Sequence, residues 1–122
     1  TAVTFNGTAA TFTVNSATSI STTVPVGATT GRIRVTNAGG TAQSSLNFKV
    51  QPVITNLTPT SGTPGNTVTI TGTGFTGATR VRFGSLQTTY TVVSSTTITA
   101  TVPTGVITSF IYVTTPGGQA TS

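Results

Sequence analysis

The sequence predicts an all-β chain of antiparallel sandwiches, and three observations carry that prediction. Helix signals are missing: there is no long apolar stripe at a 3.6-residue period and no capping box, while 14 glycines and 6 prolines punctuate the chain. Short runs instead alternate apolar and polar residues at a period of two, each bounded by Gly, Pro, Ser or Asn. The chain also repeats itself. Thr1–Ser44 overlays Thr79–Ser122 without a gap, an offset of 78 residues that matches Val3 with Val81, Phe5 with Phe83, Ile20 with Ile98, Val24 with Val102, Ile33 with Ile111 and Val35 with Val113. A period of that length suits one small β domain rather than one rung of a solenoid.

The elements follow in order. In the first unit the alternating runs are Ala2–Phe5, Thr11–Val14, Ser19–Val24 and Arg32–Thr36. A closing strand is expected over Gln43–Val50, where Leu46, Phe48 and Val50 alternate. The second unit opens with Val53–Leu57 and Thr67–Thr71, then repeats the earlier pattern as Arg80–Phe83, Thr89–Val92, Thr97–Val102 and Ser109–Val113. Two domains are therefore expected. Residues 1–51 are a partial unit whose first strands lie before Thr1, and residues 52–122 are a nearly complete unit whose closing strand lies after Ser122. Gln51-Pro52 is the joint, and so short a hinge, stiffened by the fixed φ of Pro52, predicts end-to-end stacking with little bending. The Gly39-Gly40 and Gly117-Gly118 pairs are expected to supply the positive φ of tight hairpins, and Gly72 and Gly74 to bracket a sharp turn.

Composition narrows the chemistry. The 122 residues contain no Asp, Glu, His or Cys, so the groups that usually perform general acid–base and nucleophilic catalysis are absent, and no enzyme activity is expected. Protein-built zinc or calcium sites lack their ligands, and no cofactor is expected. The formal charge of +5 comes from Arg32, Arg34, Lys49, Arg80 and Arg82. That is too sparse for the dense basic stripe of a nucleic-acid binder, and no stretch is long and apolar enough to enter a bilayer as a helix. Thr supplies 34 residues, which suits pleated surfaces.

Two stretches bring a family into view. Pro52-Val53-Ile54-Thr55-Asn56-Leu57-Thr58-Pro59-Thr60-Ser61-Gly62 and Pro64-Gly65-Asn66-Thr67-Val68-Thr69-Ile70-Thr71-Gly72-Thr73-Gly74-Phe75 closely resemble the opening of IPT/TIG domains. The later Val81-Arg82-Phe83-Gly84, Ile98–Pro103 and Val113–Gly118 are similar to the same pattern. The resemblance covers Pro52–Ser122 and extends to Thr1–Val50 through the repeat. It implies tandem immunoglobulin-like sandwiches of the E-set type, with a repeat period of 78 residues, in a bacterial-type cell-surface protein. For function it implies little, because the family serves as spacer, adhesin arm, dimerisation module and enzyme accessory domain.

Alternation singles out one surface. If Val81 and Phe83 point inward, Arg80 and Arg82 share the outward face of their strand, and Phe110 and Tyr112 share that of the neighbouring one. In the first unit Arg32 and Arg34 take the places of the two aromatics. These six residues form the candidate interaction surface, since Arg, Phe and Tyr favour interfaces, and solubilising charge on a solvent face is the plainer alternative. Asn6-Gly7-Thr8 and Asn56-Leu57-Thr58 fit the N-glycosylation acceptor pattern, with turn formation as the simpler role of Asn6.

The leading expectation is a non-catalytic structural segment of an extracellular surface protein: an adhesin stalk, or a filament or sheath component, associating with copies of itself or with neighbouring repeats. The alternative is a carbohydrate-binding accessory module of a secreted polysaccharide-processing or polysaccharide-capturing protein, with Phe110 and Tyr112 as stacking platforms and glycans as partners.

Overall fold

The computed structural model describes residues 1–107 and 109–122. Among these the chain forms fourteen strands and no helix. The first six are β1 (Ala2–Phe5), β2 (Thr8–Ala10), β3 (Phe12–Ser16), β4 (Ser19–Thr22), β5 (Ile33–Asn37) and β6 (Gly40–Gln43). Then come β7 (Val53–Thr58), β8 (Thr67–Thr73), β9 (Arg80–Phe83), β10 (Leu86–Gln87), β11 (Tyr90–Ser94), β12 (Thr97–Thr101), β13 (Ile111–Thr115) and β14 (Gly118–Thr121).

Every pairing is antiparallel, as hairpin-connected alternating strands require. In the carboxy-terminal region one sheet runs β11-β12-β8-β7 and the other β10-β9-β13-β14. Their inner faces close over one core in which Ile70, Phe75, Ile98 and Val113 are fully buried. Among the described residues the amino-terminal region has the sheet β2-β1-β5-β6 and the two-stranded hairpin β3-β4. Its core is correspondingly small: Val3, Phe5 and Ala28 are buried, with Phe12, Ile33, Val35 and Val50 packed around them.

The turns explain the registers. Asn6 and Gly7, at φ of 47° and 92°, make the two-residue loop that joins β1 to β2, the conformation an Asn-Gly pair favours. Gly40 and Gly118 adopt positive φ, but Gly39 and Gly117 do not, so each glycine pair supplies one such residue and not two. Gly117 is needed for another reason. A Cβ there would run into the Val50 carbonyl oxygen and approach the Thr30 hydroxyl, so the β13–β14 turn lies directly on the end of the amino-terminal region. Gly74 is equally confined, since its Cβ would lie 2.7 Å from the Gln51 carbonyl oxygen. The Val50 amide donates to Thr30 Oγ1 at 2.9 Å, and Pro52 is buried. Beside this packed joint lies a cleft of about 530 Å³, lined in part by Val24, Phe48, Lys49, Gln51 and Ser95.

The expected closing strand over Gln43–Val50 requires correction. The strand that pairs with β5 is Gly40–Gln43, and beyond it the chain is irregular. The Ser44 hydroxyl accepts the Ile33 amide and donates to the Leu46 carbonyl, which bends the chain away from the ladder. Only Phe48 returns, through an isolated bridge to Gly31, and Leu46 is 79% exposed. The carboxy-terminal region has β14 at the matching place, and Ser122 accepts the Ile111 amide as Ser44 accepts that of Ile33.

Candidate ligand-binding face

Strand pairing sets the outward face rung by rung. In the carboxy-terminal region one rung runs Gln87, Arg82, Tyr112, Thr121 across β10, β9, β13 and β14. The matching rung of the amino-terminal region runs Ala9, Thr4, Arg34, Gln43 across β2, β1, β5 and β6. The backbone frame is the same and the side-chain chemistry differs.

On the first of these rungs the Arg82 guanidinium carbon stands 4.5 Å from the centroid of the Tyr112 ring. A stacked cation of this kind contributes about 0.5–1 kcal/mol where exposed and more where water is excluded. Arg82 Nη1 donates to the Gly84 carbonyl at 2.9 Å, while its buried Nε has no hydrogen-bond partner. Of the four residues expected side by side here, the structure joins these two. Arg80 is exposed at the far end of the strand pair, opposite Thr114. Phe110 precedes β13 at the other end, where its carbonyl accepts the Gly84 amide at 2.8 Å and its side chain is 61% exposed.

The amino-terminal rung opens into a polar cleft of about 490 Å³, walled by Asn6, Arg32, Arg34, Gln43 and Asn47 over Thr30 and Gly31. Arg34 Nε donates to Gln43 Oε1 at 2.9 Å, so the guanidinium is aimed by its cross-strand neighbour. Asn6 is held as firmly. Its Nδ2 donates to Thr29 Oγ1 at 2.8 Å and to the Thr30 carbonyl at 3.3 Å, and its backbone amide donates to the Arg32 carbonyl at 2.9 Å. The Asn6 side chain lies over Gly31, where any Cβ would collide with it. Beneath, Gly31 and Phe48 exchange backbone hydrogen bonds of 3.1 and 2.7 Å, and the Phe48 ring meets Phe5 edge-on at 5.3 Å. Asn47, next to Phe48 in the chain, is exposed at the cleft.

The sequence pointed to Arg32 and Arg34 but not to Gln43, Asn47 or the cleft-forming role of Asn6. The Gly39-Gly40 turn carries the signal for Gln43, because a two-residue loop closing at Asn37 and Gly40 places Arg34 opposite Gln43. Asn56, the second acceptor-pattern asparagine, is exposed on β7 at a sheet edge, with Nδ2 donating to Thr58 Oγ1 at 3.3 Å. No group of three or more His, Cys, Asp or Glu occurs among the described residues.

No curated protein sequence matches the chain. Solved structures do. The chain is similar to SGBP-B from a complex xyloglucan utilization locus in Bacteroides uniformis, at a TM-score of 0.56 and 24% identity over 92% of this chain and 34% of that one. It is similar to a structure determined with xylogluco-oligosaccharide, at 0.59 and 22% over 100% and 34% of the two chains. A third likeness is to the surface glycan-binding protein PbSGBP-B from Prevotella bryantii, at 0.63 and 20% over 99% and 32%. The chain thus spans about a third of the length of each, and at these identities the likeness is one of fold. The pattern of the IPT/TIG domain matches residues 52–122, more than half of the sequence. On that match and this all-β antiparallel architecture, the chain belongs to the IPT/TIG domain family.

Proposed function

We propose that this chain is a non-catalytic carbohydrate-binding accessory segment of a secreted glycan-capturing protein displayed at the cell surface. The observation that carries this reading is the fold likeness, over 92 to 100% of the chain, to proteins described as surface glycan-binding or solved with xylogluco-oligosaccharide. The outward faces suit it, for they offer guanidinium, amide and aromatic groups without any side-chain acid. In this reading the protein is a tandem array with a 78-residue period, in which residues 1–51 are part of one unit and residues 52–122 most of the next. Arg80, Arg82, Phe110 and Tyr112 then offer one contact face per array step, and Arg32 and Arg34 offer the other.

Affinity electrophoresis through gels containing xyloglucan, other neutral glucans or acidic polysaccharides tests the proposal. Retarded migration in at least one of them is expected, and unchanged migration in all of them overturns it. A stalk or spacer role within the same protein is the second reading, favoured by the glycine-packed joint at Gly74 and Gly117. It predicts a single extended shape by small-angle scattering, and a broad distribution of inter-domain angles removes it.

A further inference from the structure

The chain contains five basic side chains and no acidic one, so no guanidinium finds a carboxylate partner within it. Three of the five are dispersed: Lys49 lines the joint cleft, Arg80 is solitary at the end of β9, and Arg82 is covered by Tyr112. The remaining two, Arg32 and Arg34, are exposed and converge on the polar cleft of the amino-terminal region. Any side-chain carboxylate that pairs with them must come from another molecule.

We infer that this cleft takes the carboxylate of a uronic acid residue within an acidic polysaccharide, an inference that rests on the glycan-capturing reading and names its substrate class. Three features select that chemistry. First, the guanidinium of Arg34, which lines the cleft, is already oriented by Gln43 through Nε, the nitrogen that is not part of its terminal planar fork. A planar fork matches a carboxylate through two parallel hydrogen bonds, which a point charge cannot do. Second, the amides of Gln43, Asn47 and Asn6 stand around the pair, and amides are the groups that read sugar hydroxyls next to such a carboxylate. Third, the walls are rigid before any ligand arrives, through the Asn6 bonds to Thr29 and Thr30, the Gly31–Phe48 bridge and the Phe5–Phe48 contact. Preorganised donors lose little on binding. The volume of about 490 Å³ lies within the range of roughly 300–1,000 Å³ common to small-ligand sites. The matching rung at Arg82 offers no second copy of this site, because its cation is spent on Tyr112 and Gly84.

The test uses the whole chain in gels containing polygalacturonate, the same polymer fully methyl-esterified, xyloglucan, or inorganic polyphosphate. Polygalacturonate is expected to retard the protein, and esterification, which removes the charge but keeps the sugar, to abolish the effect. Raising salt from about 0.05 to about 0.5 M is expected to weaken retention, since exposed charges are screened within a few ångströms at high ionic strength. The double variant R32Q/R34Q is expected to lose at least about tenfold in affinity for tetragalacturonate by calorimetry, as charge-assisted contacts are removed. The variant K49E lowers the net charge equally and, since Lys49 lines the joint cleft and not this one, is expected to bind as the parent does. R34K is expected to weaken binding while keeping the charge, because the fork is lost. Arg32, Arg34 and Lys49 are all exposed, and circular dichroism checks that each variant stays folded. Retention in xyloglucan alone overturns the uronate inference and leaves glycan capture standing. Retention by no sugar polymer overturns both. Equal losses in R32Q/R34Q and K49E, or equal retention by polyphosphate, also overturn the inference, because general charge attraction then explains the binding.

Discussion

The amino-terminal and carboxy-terminal regions carry the same strand pattern and bury it very differently. Ile98 is fully buried and Ile20, at the matching position, is 37% exposed; Val102 is 5% exposed and Val24 42%. The local sequences do not account for this, since Val14, Ile20 and Val24 recur as Val92, Ile98 and Val102. Neighbouring strands do. β12 is flanked by β11 and β8, with Ile98 directly opposite Ile70, whereas β4 pairs with β3 alone among the described residues. Strand preference is thus largely a property of what covers the strand, and an apolar residue at the right period becomes core only when a second layer closes over it.

The largest effect on this comparison is expected from supplying a second layer. A second copy of residues 52–78 placed directly ahead of Thr1 gives the amino-terminal region its own β7-like and β8-like strands and a counterpart of Phe75. Amide exchange along β4 is then expected to slow by about a hundredfold or more, as a frayed edge joins a cooperative unit. Unchanged exchange would show that β4 does not accept the partner that β12 accepts. Next comes truncation. Ile98→Ala is expected to cost about 2–5 kcal/mol by urea denaturation, the range for a fully buried large-to-small change. Ile20→Ala is expected to cost less than about 1 kcal/mol, as at other surface positions. Equal costs would mean that both sites are equally packed in solution.

The turn glycines give a smaller contrast. Gly117→Ala is expected to destabilise by about 1–3 kcal/mol, because its methyl group must displace the Val50 backbone. Gly39→Ala meets only the Asn37 side chain, at 3.3 Å, and is expected to change stability by no more than about 0.5 kcal/mol in thermal melts. Smaller again is the stacked pair. Tyr112→Leu is expected to cost about 0.5–1 kcal/mol beyond its packing loss, and a double-mutant cycle with Arg82→Leu isolates this coupling, since the extra cost disappears once Arg82 is already replaced. The smallest effect expected is none at all. Acid unfolding mostly reflects protonation of carboxylates paired in the native state, and this chain has no side-chain carboxylate. Its urea midpoint is expected to stay level from pH 7 to about pH 3, and a steep fall on acidification would contradict that.

Some strands with a partner on each side are legible in the sequence almost residue for residue, though the run Ser109–Val113 starts and ends two residues ahead of β13. Arg80–Phe83 was read at its observed bounds, and Thr97–Val102 differs from β12 by one residue. The segment after Gln43 was misread because Leu46, Phe48 and Val50 alternate like a strand, while a single hydroxyl, that of Ser44, captures the Ile33 amide and turns the chain out of register. Gln43 and Asn47 were missed for the same reason, since both fell within the supposed strand. Arg32 and Arg34 were visible by alternation alone. Their convergence with Asn6 depends on the positive φ at Asn6 and on the space that Gly31 leaves for its side chain, neither of which periodicity encodes.

The outward rung has a consequence for how such a protein diversifies. Thr4, Arg34 and Gln43 occupy the same lattice points as Arg82, Tyr112 and Thr121, and none of the six belongs to either core. Surface chemistry can therefore be rewritten on this scaffold like type in a printer's forme: the letters change and the frame that holds them stays locked.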